Sequence, residues 1–191
     1  MLVVGMAMLT VCCPAWAGNG TIGWLVGHQP VGQPVPKTLL QGQSSKVKFV
    51  YERLITFDAA AGMKVVVSLR QGAHPFGVAH LPTPQGAASS TWICYSAWAP
   101  LSSGTSCQLT ARLFSAGRPL MWGLGGVEGD FSIHGLATDA VSRITVTLTS
   151  GRTIDVPLLD NAFLFRLPAH ESPSMITAYN TSGKVVERKR A

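Results

Sequence analysis

Charged side chains are scarce in this sequence: Asp, Glu, Lys and Arg make up 13% of its 191 residues, while 47% of the residues are hydrophobic. Such a chain is not of the self-repelling, disordered class. Glu occurs four times and Lys six times, which is too few for long solvent-facing helices, whereas Val, Ile and Thr together number 40. Because β-branched residues favour strands, the composition disfavours an all-helical bundle.

The sequence also lacks the common catalytic motifs, because no GxSxG, P-loop, HExxH or Rossmann pattern is present. His134 lies beside Ser132 in an alternating run, which predicts a solvated strand residue rather than a base. His74 and His80 share a Pro/Gly-rich stretch, and a metal site there would need a third ligand. We therefore predict no enzyme, metal or cofactor, with a hydrolase using His residues and a carboxylate as an alternative. The catalytic candidates are His28, His74, His80, His134, His170 and Cys107.

Positive charge exceeds negative charge, with 15 Lys and Arg against 9 Asp and Glu, yet the basic residues are scattered along the chain. Because there is no basic stripe, we predict no nucleic-acid partner. The exception is the C-terminal run of Arg188, Lys189 and Arg190, which we interpret as a frayed, solvated tail. Contact with anionic cell-wall or surface polymers is the alternative for these three residues. Core packing is the first interpretation of Trp24 and Trp122, and a role as interaction residues is the alternative.

The first 17 residues read as a signal peptide, since 14 of them are apolar and Ala15-x-Ala17 matches the small-residue cleavage pattern. An apolar run of about 12 residues is shorter than the ~20 of a membrane span, so no transmembrane segment is predicted. No Lys or Arg precedes Lys37, and we interpret Met1 as an internal start. A buried N-terminal strand and a lipoprotein using Cys12 or Cys13 are the alternatives.

Two cysteines would remain after cleavage, Cys94 and Cys107, both in strand-like runs joined by a Ser/Gly/Pro-rich turn. An even pair in an exported chain predicts a disulfide bond. Zinc binding is the competing interpretation, but the sequence offers neither a second CxxC nor a close His pair. The predicted signal peptide and this cysteine pair together indicate a secreted or cell-surface protein.

Alternating apolar and polar residues run through residues 47–57 and again through residues 63–69, separated by a five-residue loop that ends in Gly62. This pattern predicts an antiparallel hairpin. Residues 117–129 are glycine-rich and predict a crossing segment or subdomain boundary. Further strands are predicted near residues 131–135, 143–148, 152–157, 161–167, 174–179 and 184–188.

The hairpin from Ile144 to Val156 has a register that its side chains select. Placing Val146 opposite Ile154 and Ile144 opposite Val156 aligns the apolar residues and leaves the loop Thr149-Ser150-Gly151. Gly151 then takes a left-handed backbone conformation, which glycine adopts at little cost.

About eleven short strands and no amphipathic helix of three turns predict an all-β protein, a two-layer antiparallel β-sandwich. The predicted organisation has four parts. They are a signal peptide (1–17), a Gly/Pro-rich arm (18–43), a disulfide-containing β region (44–125) and an Ig-like β module packed on it (126–191).

Residues Gly135 to Phe163, with the sequence GLATDAVSRITVTLTSGRTIDVPLLDNAF, resemble a C-terminal module of uncharacterised secreted proteins of high-GC Gram-positive bacteria. Those proteins often carry an upstream strand pair with two cysteines, and Cys94 and Cys107 match that feature. The resemblance covers about 100 residues and implies an extracytoplasmic, β-rich protein with no assigned activity.

These features together favour a secreted or surface-associated binding or structural module without catalysis. One alternative is a subunit of a homo-oligomeric extracellular assembly, in which the uncharged segment 18–36 adds as an extra strand to a neighbouring protein.

Overall fold

The structure, a computed structural model, describes residues 48–72, 91–109 and 118–191. All the regular secondary structure in these ranges is β, and none of it is a helix with the length and apolar character needed to cross a membrane. The described strands are β1 (Lys48–Asp58), β2 (Met63–Gln71), β3 (Thr91–Ala99), β4 (Ser102–Leu109), β5 (Leu120–Val127), β6 (Asp130–Ala137), β7 (Arg143–Leu148), β8 (Thr153–Val156), β9 (Leu158–Leu159), β10 (Ala162–Arg166), β11 (Pro173–Tyr179) and β12 (Val185–Arg190).

These strands form three antiparallel four-stranded sheets. The N-terminal sheet has the strand order β1-β2-β3-β4, the middle sheet β5-β6-β10-β9, and the C-terminal sheet β12-β11-β7-β8. The all-β antiparallel class predicted from composition and alternation is thereby confirmed.

Two hydrophobic cores show how the sheets stack. The first core combines β1, β2 and β3 with Met121, Leu136 and Leu164 of the middle sheet. The second core combines Ile133 and Phe163 of the middle sheet with β7, β8 and β11. Because neighbouring residues of a strand point to opposite faces, the middle sheet contributes one face to each core. Each neighbouring pair of sheets therefore packs as the antiparallel β-sandwich that the sequence predicted, and the described strands together form three layers.

The hairpin registers agree with the side-chain patterns. Ile144 pairs with Val156 and Val146 with Ile154, as predicted. The loop glycine Gly151 has φ 86°, and its amide donates to the Leu148 carbonyl at 2.9 Å. The first hairpin is also confirmed, with β1 and β2 joined through Gly62 at φ 68°.

Two local predictions are corrected. The glycine-rich stretch expected to be a crossing segment contains β5, which pairs with β6 along its whole length and extends across the predicted module boundary at residue 125. The Ser/Gly-rich residues between the cysteines belong mostly to β4, so that only Pro100 and Leu101 turn the chain. In both cases cross-strand pairing overrides the low strand propensity of glycine and serine.

Candidate functional site

The two cysteines lie directly opposite each other on β3 and β4, and their sulfur atoms are 2.06 Å apart, which is disulfide distance. Cys94 is fully buried and packs with Trp92, Cys107 and Leu109 on the face of the N-terminal sheet that points away from the middle sheet. Neither sulfur is therefore a free thiol nucleophile in this structure, and the pair fits an oxidising compartment.

His134, expected to be solvated, is instead buried and only 5% exposed. It lies on β6 with its ring between the middle and N-terminal sheets, where the Tyr95 hydroxyl is 3.3 Å from its Nδ1 atom. The two rings meet edge to face with centroids 5.5 Å apart. The Nε2 atom of His134 has no hydrogen-bond partner among the described residues. The alternating residues form a strand, as predicted. The prediction that His134 is solvated is wrong, because the N-terminal and C-terminal sheets cover the two faces of β6.

Three glycines on the neighbouring strands make room for this imidazole ring. A Cβ atom added at Gly104 of β4, or at Gly123 or Gly125 of β5, would lie 3.2 Å from an atom of the His134 ring. The hydroxyl groups of Ser102 and Ser132, which are hydrogen-bonded to each other at 2.6 Å, lie beside Gly125, one of these three glycines. The imidazole ring thus fills the space that these three glycines leave between β4 and β5, which is a packing role.

Burial also decides the protonation states of the two rings. Removal from water lowers the pKa of His134 to about 4, so the ring is neutral at pH 7. Burial raises the pKa of Tyr95 well above its usual range, and a hydrogen bond from Ser106 opposes that shift only in part. No carboxylate partner of His134 is found among the described residues, so the pair lacks the third member of a hydrolytic triad.

The remaining catalytic candidates among the described residues are not grouped into a site. His170 is exposed at the surface beside Gly129, and its amide donates to the Gly129 carbonyl at 2.8 Å. His28, His74 and His80 lie outside the described residues. Within the described ranges, no three His, Cys, Asp or Glu side chains are grouped as metal ligands would be.

The C-terminal basic run is not the frayed tail predicted from the sequence, because it forms β12, the edge strand that pairs with β11 from Met175 to Tyr179. Arg188 and Arg190 are both exposed. They lie two residues apart and so share one face of the strand, at a spacing of roughly 7 Å. Lys189, on the other face, binds Glu187 with its Nζ atom 2.9 Å from Oε1.

The two arginines of β12 differ from most arginines of the described chain. Arg53, Arg143, Arg152 and Arg166 each form an ion pair with an Asp or Glu. By contrast, the described residues offer no ion pair to Arg188 or Arg190.

Trp122, the other described interaction candidate, is half-buried and packs against the second core. It belongs to β5, whose first residue is tied to β12: the Leu120 amide donates to Oε2 of Glu187 at 3.0 Å. Sequence reasoning missed this contact, since nothing local relates residues 67 positions apart. Trp24, the signal peptide and the N-terminal arm lie outside the described residues.

No protein-family model, curated protein or solved structure matches this chain. The resemblance of residues 135–163 to secreted β-rich proteins accordingly stays a prediction.

Proposed function

We propose that this protein is a secreted or cell-surface binding module without catalysis, and that it contacts anionic polymers through Arg188 and Arg190. The observation that carries the proposal is the pair of exposed arginines held on one face of an ordered edge strand, with no acidic partner among the described residues. Two neighbouring guanidinium groups on one face suit a polymer with repeating phosphate or carboxylate groups.

Two further features support the proposal. The cysteine pair and the predicted signal peptide favour export, which would bring the module to wall polymers and lipid headgroups. Two of the described catalytic candidates occupy structural positions: Cys107 is bonded to Cys94, and His134 is neutral, buried and enclosed by glycines.

Polymer binding can be measured by titrating the purified protein with a poly(glycerol phosphate) polymer at low salt, with uncharged dextran as the negative control. We expect the variant Arg188→Gln/Arg190→Gln to bind at least tenfold more weakly. The affinity of the wild-type protein should fall as salt is added, and this dependence should be shallower in the variant because fewer counterions are released.

The matched control is Arg143→Gln/Arg152→Gln, which removes the same amount of charge, but from arginines already paired with Asp155 and Glu171. We expect this control variant to weaken binding by less than about threefold. Its fold should remain intact, since surface ion pairs contribute little to stability. Equal losses in the two variants, or equal binding of dextran, would reject β12 as the contact strand.

A further inference from the structure

The edge of the middle sheet formed by β5 differs from most other sheet edges of the described chain. The edge strands β1, β8 and β12 all carry charged residues, and β9 is two residues long. β5 is eight residues long and uncharged, with the sequence LMWGLGGV. An exposed strand without charge is a template for pairing with another strand, because its outward amides and carbonyls remain available. β4 is also uncharged but is composed mainly of polar and small residues.

The backbone register shows which groups of β5 face outward. The Thr138 amide donates to the Pro119 carbonyl, whereas the Ala137 amide donates to Asn161 on the other side of β6. Since hydrogen-bonding direction alternates along a strand, the amides and carbonyls of Leu120, Trp122, Leu124 and Gly126 point away from β6. The Leu120 amide already donates a hydrogen bond to the Glu187 carboxylate. An added strand would therefore bind Trp122, Leu124 and Gly126.

Exposed apolar side chains flank this edge on both faces. Leu124 is 42% exposed on the side facing the C-terminal sheet, and Val127 is 56% exposed on the other side. A strand added to β5 would cover both, which contributes apolar burial in addition to the backbone hydrogen bonds.

Charge at the two ends of β5 points to a second copy of the same chain. Arg118 precedes the strand and Glu128 follows it; both are exposed, and neither forms an ion pair with a described residue. Antiparallel pairing of β5 with itself brings each Arg118 towards the Glu128 of the other copy. A strand from a different protein would need an acidic and a basic residue at matching positions. A two-fold axis between two copies of this chain forms both Arg118–Glu128 contacts at once.

We propose that the protein forms a two-fold symmetric dimer by antiparallel pairing of β5 with β5, centred on Leu124. In this register Leu124 lies opposite its own copy, and Trp122 lies opposite Gly126, an edge glycine that a cross-strand aromatic ring can cover. Glu128 lies opposite Leu120 of the other copy, two residues from Arg118, a diagonal that long side chains span. The two middle sheets become one eight-stranded sheet. This interface is separate from the proposed polymer contact at β12.

Size-exclusion chromatography with light scattering, run on the full chain over a range of concentrations, tests the dimer. We expect a mass of twice that of one chain for the wild-type protein. Leu124→Lys places two like charges against each other on the axis and should raise the dimer dissociation constant at least tenfold. Leu159→Lys, at an exposed leucine on β9, should leave it unchanged.

A charge swap tests the register even if Leu124→Lys fails to fold. Arg118→Glu and Glu128→Arg should each weaken the dimer, and the double variant should restore it because the ion pairs reform with reversed sign. Three results would overturn the proposal: a wild-type protein that stays monomeric at about 100 µM, a dimer insensitive to Leu124→Lys, or a double variant that dimerises no more tightly than the two single variants. Circular dichroism of every variant controls for folding.

Discussion

A buried histidine illustrates how one residue can link two sheets. His134 belongs to the middle sheet, contacts Tyr95 of the N-terminal sheet and is surrounded by glycines of β4 and β5. Its ring is neutral because burial penalises the charged form. Protonation of this ring in the folded protein would place a charge where the described residues offer no counter-ion.

The stability of the fold should therefore decrease in acid. The pKa of His134 is about 4 when folded, against roughly 6.5 when unfolded. The unfolded state binds a proton first, so the stability is complete above pH 6.5 and falls as the pH drops to 4. A shift of this size corresponds to about 3 kcal/mol. Urea unfolding of the wild-type protein between pH 7 and pH 4 measures it.

The variant His134→Gln should lose this pH-dependent part, whatever its stability at pH 7. His170→Gln, at an exposed histidine, serves as the control and should keep the wild-type slope. An identical slope in all three proteins would show that His134 does not control the acid sensitivity.

A second residue-scale feature is the polar face of β2, which alternation alone would assign to solvent. Ser68 and Arg70 are 1% and 2% exposed, and the Arg70 Nε atom donates to the Ser68 hydroxyl at 2.9 Å. Burial lowers the pKa of Arg70, and the nearby charge of Glu52 opposes that shift. Polarity thus fails as a guide to exposure here, because a hydrogen-bonded polar side chain can be buried.

At the scale of elements, close approach of strands depends on particular glycines. A Cβ atom added to Gly135 of β6 would lie 2.1 Å from the Met121 carbonyl oxygen and 2.7 Å from the Phe163 ring. The first of these is a backbone atom of β5, which cannot rotate away. Gly135 therefore controls the spacing of β5, β6 and β10 in the middle sheet.

We expect Gly135→Ala to destabilise the fold by about 3 kcal/mol, the upper range for overpacking a core, because the strands must separate. Gly62→Ala is the matched control: it has a positive φ of 68° but no atom within 4 Å of the added Cβ. Backbone strain alone should cost it about 1 kcal/mol. Urea midpoints of the two variants give the comparison, and equal losses would show that contact with β5 is unimportant.

At the scale of the whole molecule, the middle sheet joins the two cores. Its strands alternate between Leu136 and Leu164 on one face and Ile133 and Phe163 on the other. Neither outer layer can lose its packing without exposing one face of the middle sheet. The cores should therefore unfold together.

We expect calorimetry to show one unfolding transition. Val67→Ala in the first core and Ile176→Ala in the second should both lower its midpoint, with Ile176→Ala costing about 2–5 kcal/mol as a large-to-small change in a buried position. Leu159→Ala, at an exposed leucine, should change it little. Two transitions, each sensitive to only one of the core variants, would contradict a shared middle sheet.

Local information in the sequence was enough for most strands other than β4 and β5, for the turn at Gly151, for the pairing of Ile144 with Val156 and for the candidate disulfide. Each of these depends on alternation, glycine conformation or residue count within a short segment. Tertiary structure alone decided the three layers, the burial of His134 and the uncharged edge of β5. Alternation shows that neighbouring residues point to opposite faces, but whether a second sheet covers the other face depends on contacts between residues far apart in the chain.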